Sequence, residues 1–229
     1  MKLLKKGERL DDLQIKGYKL IQDKEKFCFG IDAVLLSNFA SIKTGDRVID
    51  MGTGTGVIPI LLAAKTMASN IVGVEIQEDM VEMANRSIAL NRLEDRVSIV
   101  HGDIRTGLLE LGVGKWDVVV SNPPYKKQGS GLVNPKSSKA IARHEIRCTL
   151  DDVLSTGAKL LKNRGKFAMI HRPDRFIEIV AGMRAVGLEP KRIRLVYPYV
   201  GKATNLVLIE AVLGGKPYLT WMPPLYVYD

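Results

Sequence analysis

Arg47-Val48-Ile49-Asp50-Met51-Gly52-Thr53-Gly54-Thr55-Gly56-Val57-Ile58 reads as a short apolar strand, a glycine-rich turn and the opening of an apolar helix that runs from Val57 to Met67. Glycines spaced in this way serve backbone that must approach a ligand closely or adopt positive φ, and a strand-turn-helix unit carrying them is a nucleotide-binding turn. The spacing departs from the dinucleotide fingerprint, because Val57 occupies the place of the third glycine, which argues against a dehydrogenase. The next strand, Asn70-Ile71-Val72-Gly73-Val74-Glu75, ends about 20 residues on in a carboxylate able to accept bonds from both ribose hydroxyls. A third strand, Arg96 to His101, runs into Gly102-Asp103-Ile104, where Asp103 can accept a bond from an adenine amino group.

Further along, Trp116-Asp117-Val118-Val119-Val120-Ser121 reads as a buried strand and leads into Asn122-Pro123-Pro124-Tyr125. An Asn side-chain oxygen and the carbonyl of the following Pro can both accept hydrogen bonds from one NH₂ group. Two prolines fix the backbone, and an aromatic ring covers the flat face. This is a clamp for a planar nitrogen and a site for methylating an amine or amide. Asp50, Glu75, Asp103 and Asn122 all fall at or just beyond the carboxyl ends of successive strands, where open α/β sheets bind ligands.

The rest of the chain fits the same rhythm. The segment up to about Lys26, including Gly17-Tyr18-Lys19-Leu20-Ile21, reads as a small hairpin, an N-terminal extension over 1–26. A helix follows from Asp32, with Asp32 as its cap and Val34, Leu35, Asn38 and Phe39 on one face. Glu78 to Leu90 is an amphipathic helix with acids early and Arg86 late, in keeping with the helix dipole. Residues 126–147 form a basic, polar stretch too long for a simple connection, which reads as a substrate loop. Thr149 and Asp152 form a capping box for a helix toward Leu161, Gly165 breaks the chain before the strand Lys166 to Ile170, and Pro173 opens a helix that ends near Gly187. Arg192 to Tyr197 and Asn205 to Val212 complete the sheet as an antiparallel pair. Neither an internal repeat nor a second domain is visible, so 1–229 is expected to form one domain.

The chain has 229 residues, 46% of them apolar, enough for a full core. No apolar run reaches bilayer length and Met1-Lys2-Leu3-Leu4-Lys5-Lys6 lacks a signal peptide's apolar stretch, so a cytoplasmic protein without membrane contact is expected. Cys28 and Cys148, the only cysteines, have no partner at ligand spacing, and no metal site is expected. Lys and Arg number 34 against 25 Asp and Glu, with a pI near 9.5, which favours a polyanionic partner. Lys126, Lys127, Lys136, Lys139, Arg143 and Arg147 follow the Asn-Pro-Pro-Tyr turn, and Arg172, Lys191, Arg192, Arg194 and Lys202 lie among a second basic group. Either group alone is an ordinary solvated face, but beside an amine-methylating site both read as phosphate contacts. Arg143-His144-Glu145 fits structure or phosphate contact better than a catalytic base, and His101 and His171 read as packing or rim residues.

The series Asp50-x-Gly-x-Gly-x-Gly, Glu75, Asp103 and Asn122-Pro-Pro-Tyr125 resembles the motifs of class I S-adenosylmethionine-dependent methyltransferases that modify planar exocyclic nitrogens. Phe27-Cys28-Phe29-Gly30-Ile31-Asp32-Ala33-Val34-Leu35-Leu36, Ala142-Arg143-His144-Glu145, His171-Arg172-Pro173 and Lys191 to Pro198 resemble, more narrowly, the bacterial tRNA1(Val) adenine-N6-methyltransferases. The resemblance implies a Rossmann-like, doubly wound α/β fold with a mostly parallel seven-stranded sheet and an antiparallel last strand. It implies S-adenosylmethionine as cofactor, tRNA as partner, and no obligate protein partner. Gly52, Gly54, Gly56 and Asp50 would lie against the methionine and ribose, Glu75 would hold the ribose, Ile76 and Ile104 would sandwich the adenine, and Asp103 would read its amino group. Gly30 and Asp32 would stand near the methionine end, with Asn122 also beside the cofactor. Asn122, Pro123, Pro124 and Tyr125 would carry the chemistry. The clamp by itself is shared with enzymes that methylate a glutamine amide in translation release factors, and a non-catalytic RNA-binding protein on this fold is the other alternative.

Overall fold

The computed structural model describes residues 4–26, 28–106, 108–124 and 148–228. The chain opens with an antiparallel hairpin, β1 (Glu8–Asp12) and β2 (Lys19–Asp23), followed by α1 (Ile31–Phe39), β3 (Arg47–Met51), α2 (Val57–Lys65), β4 (Asn70–Glu75), α3 (Glu78–Leu90), β5 (Val97–His101) and β6 (Trp116–Ser121). After residue 147 come α4 (Leu150–Leu160), β7 (Leu161–His171), α5 (Phe176–Ala185), β8 (Leu188–Tyr197), β9 (Leu206–Leu213) and the two-residue strands β10 (Thr220–Trp221) and β11 (Leu225–Tyr226). Nine strands form one sheet in the order β10-β8-β9-β7-β6-β3-β4-β5, with β11 also on β8. Its seven long strands match the expected doubly wound sheet. β5, β4, β3, β6 and β7 are parallel, and β9 runs antiparallel between β7 and β8. The chain winds outward from β3 in one direction and resumes on its other side at β6, so the topological switch point lies between those two strands.

Strand alternation sorts the core into two layers. Val48, Ile71, Val118 and Ala168 pack under α1, α2 and α3, while Ile49, Val72, Val119 and Phe167 pack against α4 and α5. The amino-terminal hairpin is sewn to α3. The guanidinium of Arg86 donates to both carboxylate oxygens of Glu8 at 2.8 and 2.5 Å, Ile21 N donates to Ser87 Oγ at 3.0 Å, and Asn91 exchanges bonds with the Lys19 backbone at 2.8 and 2.7 Å. The Glu8 carboxyl is held below its usual range chiefly by the Arg86 hydrogen bond. The Thr149–Asp152 capping box forms as expected.

Several local expectations are corrected. α1 starts at Ile31 with extended Gly30 as N-cap, so Asp32 sits inside the first turn, its Oδ1 accepting from Ala33 N at 3.1 Å. The buried face of α1 is Ala33, Leu35, Leu36 and Phe39. Asn38 is exposed, its amide donating to Val34 O. Gly165 does not break the chain: β7 is continuous from Leu161, and its register against β6 shifts between Trp116 and Val118, so the extra residues bulge out, with Arg164 at φ 66°. β10 and β11 are too short to leave a periodic signal.

Candidate active site

The 52–56 turn bridges the carboxyl ends of β3 and β4. Gly52 N and Thr53 N both donate to Val74 O, at 2.9 and 3.0 Å, and Gly56 N closes the turn on Thr53 O at 3.0 Å. Gly52, Gly54 and Gly56 have φ of 78°, 56° and 80°, where a side chain would be strained. A Cβ on Gly52 or Gly54 would meet no atom within 4 Å, so the backbone there faces open space. Below, in β4, a Cβ on Gly73 would fall 2.8 Å from Thr53 Oγ1. The absence of a side chain at 73 is what lets the turn settle onto the sheet.

Two carboxylates flank this turn and behave differently. Glu75 is buried and fully engaged with backbone: Oε2 accepts from Gly54 N at 2.9 Å, while Oε1 accepts from Ile76 N and Gln77 N at 3.0 and 2.9 Å. A carboxylate has about four acceptor sites, and Gln77 Nε2 approaches Oε1 at 3.3 Å, so Oε2 keeps one further acceptor site. Asp50 is completely buried, and neither of its oxygens, nor the hydroxyl of Thr53 beside it, has a hydrogen-bond partner. Burial pushes the Asp50 carboxyl up to about 7, with the Glu75 charge adding to the rise and the nearby Thr53 hydroxyl moderating it. An orphaned buried carboxylate beneath an open glycine cradle fits a ligand that brings its own donors and positive charge. S-adenosylmethionine, with a sulfonium, an ammonium and ribose hydroxyls, is such a ligand.

Around the rim, Asp103 lies just past β5 and binds Arg105 through Nη2 at 2.7 Å and through the Arg105 backbone N at 2.9 Å. Ile76 and Ile104 are half-buried after β4 and β5, and Ile104 O accepts from Thr156 Oγ1 of α4. His101 is exposed, with Nε2 2.9 Å from Ile76 O. Gly30 and Asp32 sit at the head of α1, where a Cβ on Gly30 would meet Asp32 Oδ1 at 2.8 Å.

On the other side of the switch point, β6 pairs with β3 so that Ser121 lies opposite Met51, and Ser121 Oγ donates to Met51 O at 2.9 Å. Half-buried Asn122 and buried Pro123 therefore emerge beside Gly52. Exposed Pro124 follows. Tyr125, Lys126, Lys127, Lys136, Lys139, Arg143 and His144 lie outside the described residues. Arg172 is exposed just past β7, at the same sheet edge as Asn122, and His171 beneath it is buried, held below its usual range by burial.

In the basic strand β8, Lys191 and Arg192 have partners within the chain. Arg192 donates to Glu210 Oε1 at 3.0 Å, Phe39 O at 2.8 Å and Ser41 Oγ at 2.7 Å, and stacks over the Phe39 ring. Lys191 Nζ donates to the carbonyls of Lys216 and Tyr218, and Arg194 is half-buried with Nε enclosed. Arg192 thus fastens the end of α1 to the sheet, and Lys191 the carboxyl-terminal segment. Among the described residues no three His, Cys, Asp or Glu side chains converge on a metal site, and no helix is long and apolar enough to cross a membrane. The staple from Gly54 N to Glu75 and the orphaned Thr53 hydroxyl escape sequence reasoning, since they depend on how the turn lies across β4.

Comparison with known proteins agrees with this geometry. Residues 26–175 match the profile of the methyltransferase small domain family. The tRNA1(Val) (adenine(37)-N6)-methyltransferase of Tolumonas auensis is 31% identical over 203 residues, covering 88% of this chain and 82% of the relative. The protein of the same name from Bacteroides thetaiotaomicron is 35% identical over 162 residues, covering 70% and 66%. Among solved structures, a predicted O-methyltransferase from Agrobacterium tumefaciens superposes with a TM-score of 0.69 at 24% identity, covering 86% of this chain and 88% of that one. TYW2 of M. jannaschii in complex with AdoMet gives 0.61 at 17% identity, covering 91% and 87%, a likeness of fold.

Proposed function

The chain belongs to the methyltransferase small domain family and, within it, to the tRNA1(Val) (adenine-N6)-methyltransferases, and from that premise we propose that it methylates the exocyclic N6 of adenine 37 in a valine tRNA. S-adenosylmethionine, when bound, supplies an electrophilic methyl group. Gly52 and Gly54 let the backbone approach the cofactor closely, and Gly56 lets the turn close against α3. Asp50 offers an unsatisfied carboxylate beneath it, Glu75 offers one further acceptor to the ribose, and Ile76, Ile104 and Asp103 border the place for its adenine.

The N6 lone pair of adenine is delocalised into the ring and is a poor nucleophile. Asn122, through its side-chain oxygen, and Pro123, through its carbonyl, accept the two N–H bonds in a geometry that suits a nitrogen becoming tetrahedral. The interaction is therefore strongest in the transition state. Because the nitrogen becomes acidic on attack, positioning carries most of the remaining acceleration and no strong base is required. Tyr125 is assigned to stack on the base, and Arg172 with the lysines of 126–147 to meet phosphates. An unpaired anticodon-loop nucleotide exposes its base without the cost of opening a duplex, and a tRNA substrate fits action in the cytoplasm.

The observation that carries this reading is the juxtaposition at the switch point: an orphaned Asp50 under an open glycine turn, with Asn122-Pro123 leaving the adjacent strand beside it. The test is transfer of labelled methyl from S-adenosylmethionine into unmodified tRNA, with release factor and duplex DNA in parallel, followed by nucleoside mass spectrometry. N6-methyladenosine in tRNA alone is the expected result. Label in release factor, or in nothing, overturns it.

A further inference from the structure

β9 is antiparallel to both β7 and β8, so β6, β7 and β8 run in the same direction. Their carboxyl ends point to the side of the sheet at which Asn122 emerges. Through Met169 and Ile209, Ser121 is level with Ile193, so Tyr197 stands three inter-strand spacings across, about 14 Å, and four residues, about 13 Å, further along. At that end of β8, Tyr197 lies opposite Tyr226 of β11. The pairing continues past both strands through Val227 N to Tyr197 O at 2.9 Å and Tyr228 N to Pro198 O at 3.0 Å. Tyr197 and Tyr226 face each other in register, and Tyr199 and Tyr228 meet in the irregular chain just beyond those strands. The rings of Tyr197 and Tyr226 are 5.5 Å apart at 35°, and those of Tyr199 and Tyr228 are 5.1 Å apart at 30°.

The intervening Leu225 and Val227 pack into the core, so the tyrosines occupy the outward positions, where a strand edge ordinarily carries polar side chains. Five of the seven tyrosines of the chain fall in residues 197–228, and Tyr199, Tyr226 and Tyr228 are 46%, 45% and 55% exposed. Charge points the same way. From Pro190 to Asp229 five Lys and Arg stand against two acids, Asp229 and Glu210, the latter buried and paired with Arg192, and Lys202 is exposed in the turn after Tyr199. Open aromatic faces beside a cation are the elements that hold single-stranded nucleic acid.

We infer that this tyrosine array is a stacking platform for unpaired nucleotides flanking the target adenine, with Lys202 meeting their phosphate; the inference rests on the tRNA reading above. Four proteins decide it: the unaltered chain, Tyr199→Ala/Tyr228→Ala, Tyr199→Phe/Tyr228→Phe and Lys202→Ala. Each is titrated into a fluorescent anticodon stem-loop RNA of a valine tRNA at several KCl concentrations, and KM for tRNA, cofactor affinity, thermal unfolding and light scattering are recorded. The double alanine variant is expected to bind RNA about tenfold more weakly and to raise KM for tRNA in proportion, with cofactor affinity and salt slope unchanged. The double phenylalanine variant should bind as the unaltered chain does. Lys202→Ala should reduce the salt slope by roughly 0.7–0.9.

Unchanged RNA affinity in a folded double alanine variant overturns the platform. So does a change of oligomeric state with RNA binding intact, which would make the array a contact between copies. Should the double variant unfold, Tyr228→Ala alone carries the same comparison. An unaltered chain that binds the stem-loop but methylates no tRNA refutes the proposed activity and leaves the array to be judged by the titrations. One that binds no RNA refutes both.

Discussion

Asp50 gives the sharpest prediction, because its environment is fixed by the fold and its charge state is set by pH. The side chain is completely buried without a hydrogen-bond partner and its carboxyl is pushed up to about 7, from an ordinary 3.8. A carboxyl whose pKa is higher in the folded state binds its proton more tightly there. Without ligand the protein therefore loses stability as pH rises from the ordinary value through about 7. A cofactor bearing a sulfonium and an ammonium favours the ionised form instead. The ionised fraction of Asp50 rises from about one-tenth at pH 6 to about nine-tenths at pH 8, so affinity for S-adenosylmethionine should rise about tenfold, ~1.4 kcal/mol, over that interval. The Asp50→Asn protein should bind more weakly at pH 8, lack this rise, and be the more stable of the two without ligand at that pH. Titration calorimetry in buffers of different ionisation enthalpy reads both quantities, and at pH 6 about one proton should leave the unaltered protein on binding. Loss of a proton from the ligand's own ammonium affects both proteins alike, so the ratio of their affinities isolates Asp50. Parallel pH profiles for the two, with no proton released at pH 6, would refute the assignment of Asp50 to the cofactor.

Other outcomes follow from contacts already described. Asn122→Ala should lower methyl transfer by about 10²-fold or more while cofactor affinity stays within severalfold, and loss of cofactor binding instead would show that Asn122 holds the cofactor rather than the target nitrogen. Glu8→Gln should destabilise the protein at pH 7 by about 1.5–3 kcal/mol through the Arg86 contact. Since the folded Glu8 pKa is depressed, that stability is present above 4.5 and lost as pH falls through the lower folded value, so the unfolding curves of the two proteins should converge in acid. Arg192→Ala should lower the melting temperature and leave the salt slope of RNA binding unchanged; a reduced slope would return Arg192 to the phosphate surface.

Features that rest on local chemistry were legible in the order of residues. The strand-turn-helix from Arg47 to Lys65, the helix Glu78–Leu90 and the Thr149–Asp152 cap stand where periodicity, glycine spacing and capping place them, because each is satisfied within a dozen or so neighbouring residues. The carboxyl-end positions of Asp50, Glu75, Asp103 and Asn122 follow from strand boundaries alone. The partners of the polar groups, by contrast, are set by packing between distant segments. Arg192 belongs to a basic run in sequence, yet its carboxylate and carbonyl partners come from β9 and the end of α1, 18 and 153 residues away. Asp50 and Glu75 are both acids at strand ends, yet one is left without a donor, while the other takes an amide from the 52–56 turn where it lies across β4 and two from the residues that follow it. Tyr197 and Tyr199 meet Tyr226 and Tyr228 only when β11 joins β8 in register. Hydrogen bonds and ring contacts are short-ranged and directional, so which groups meet is fixed by the packing of distant segments.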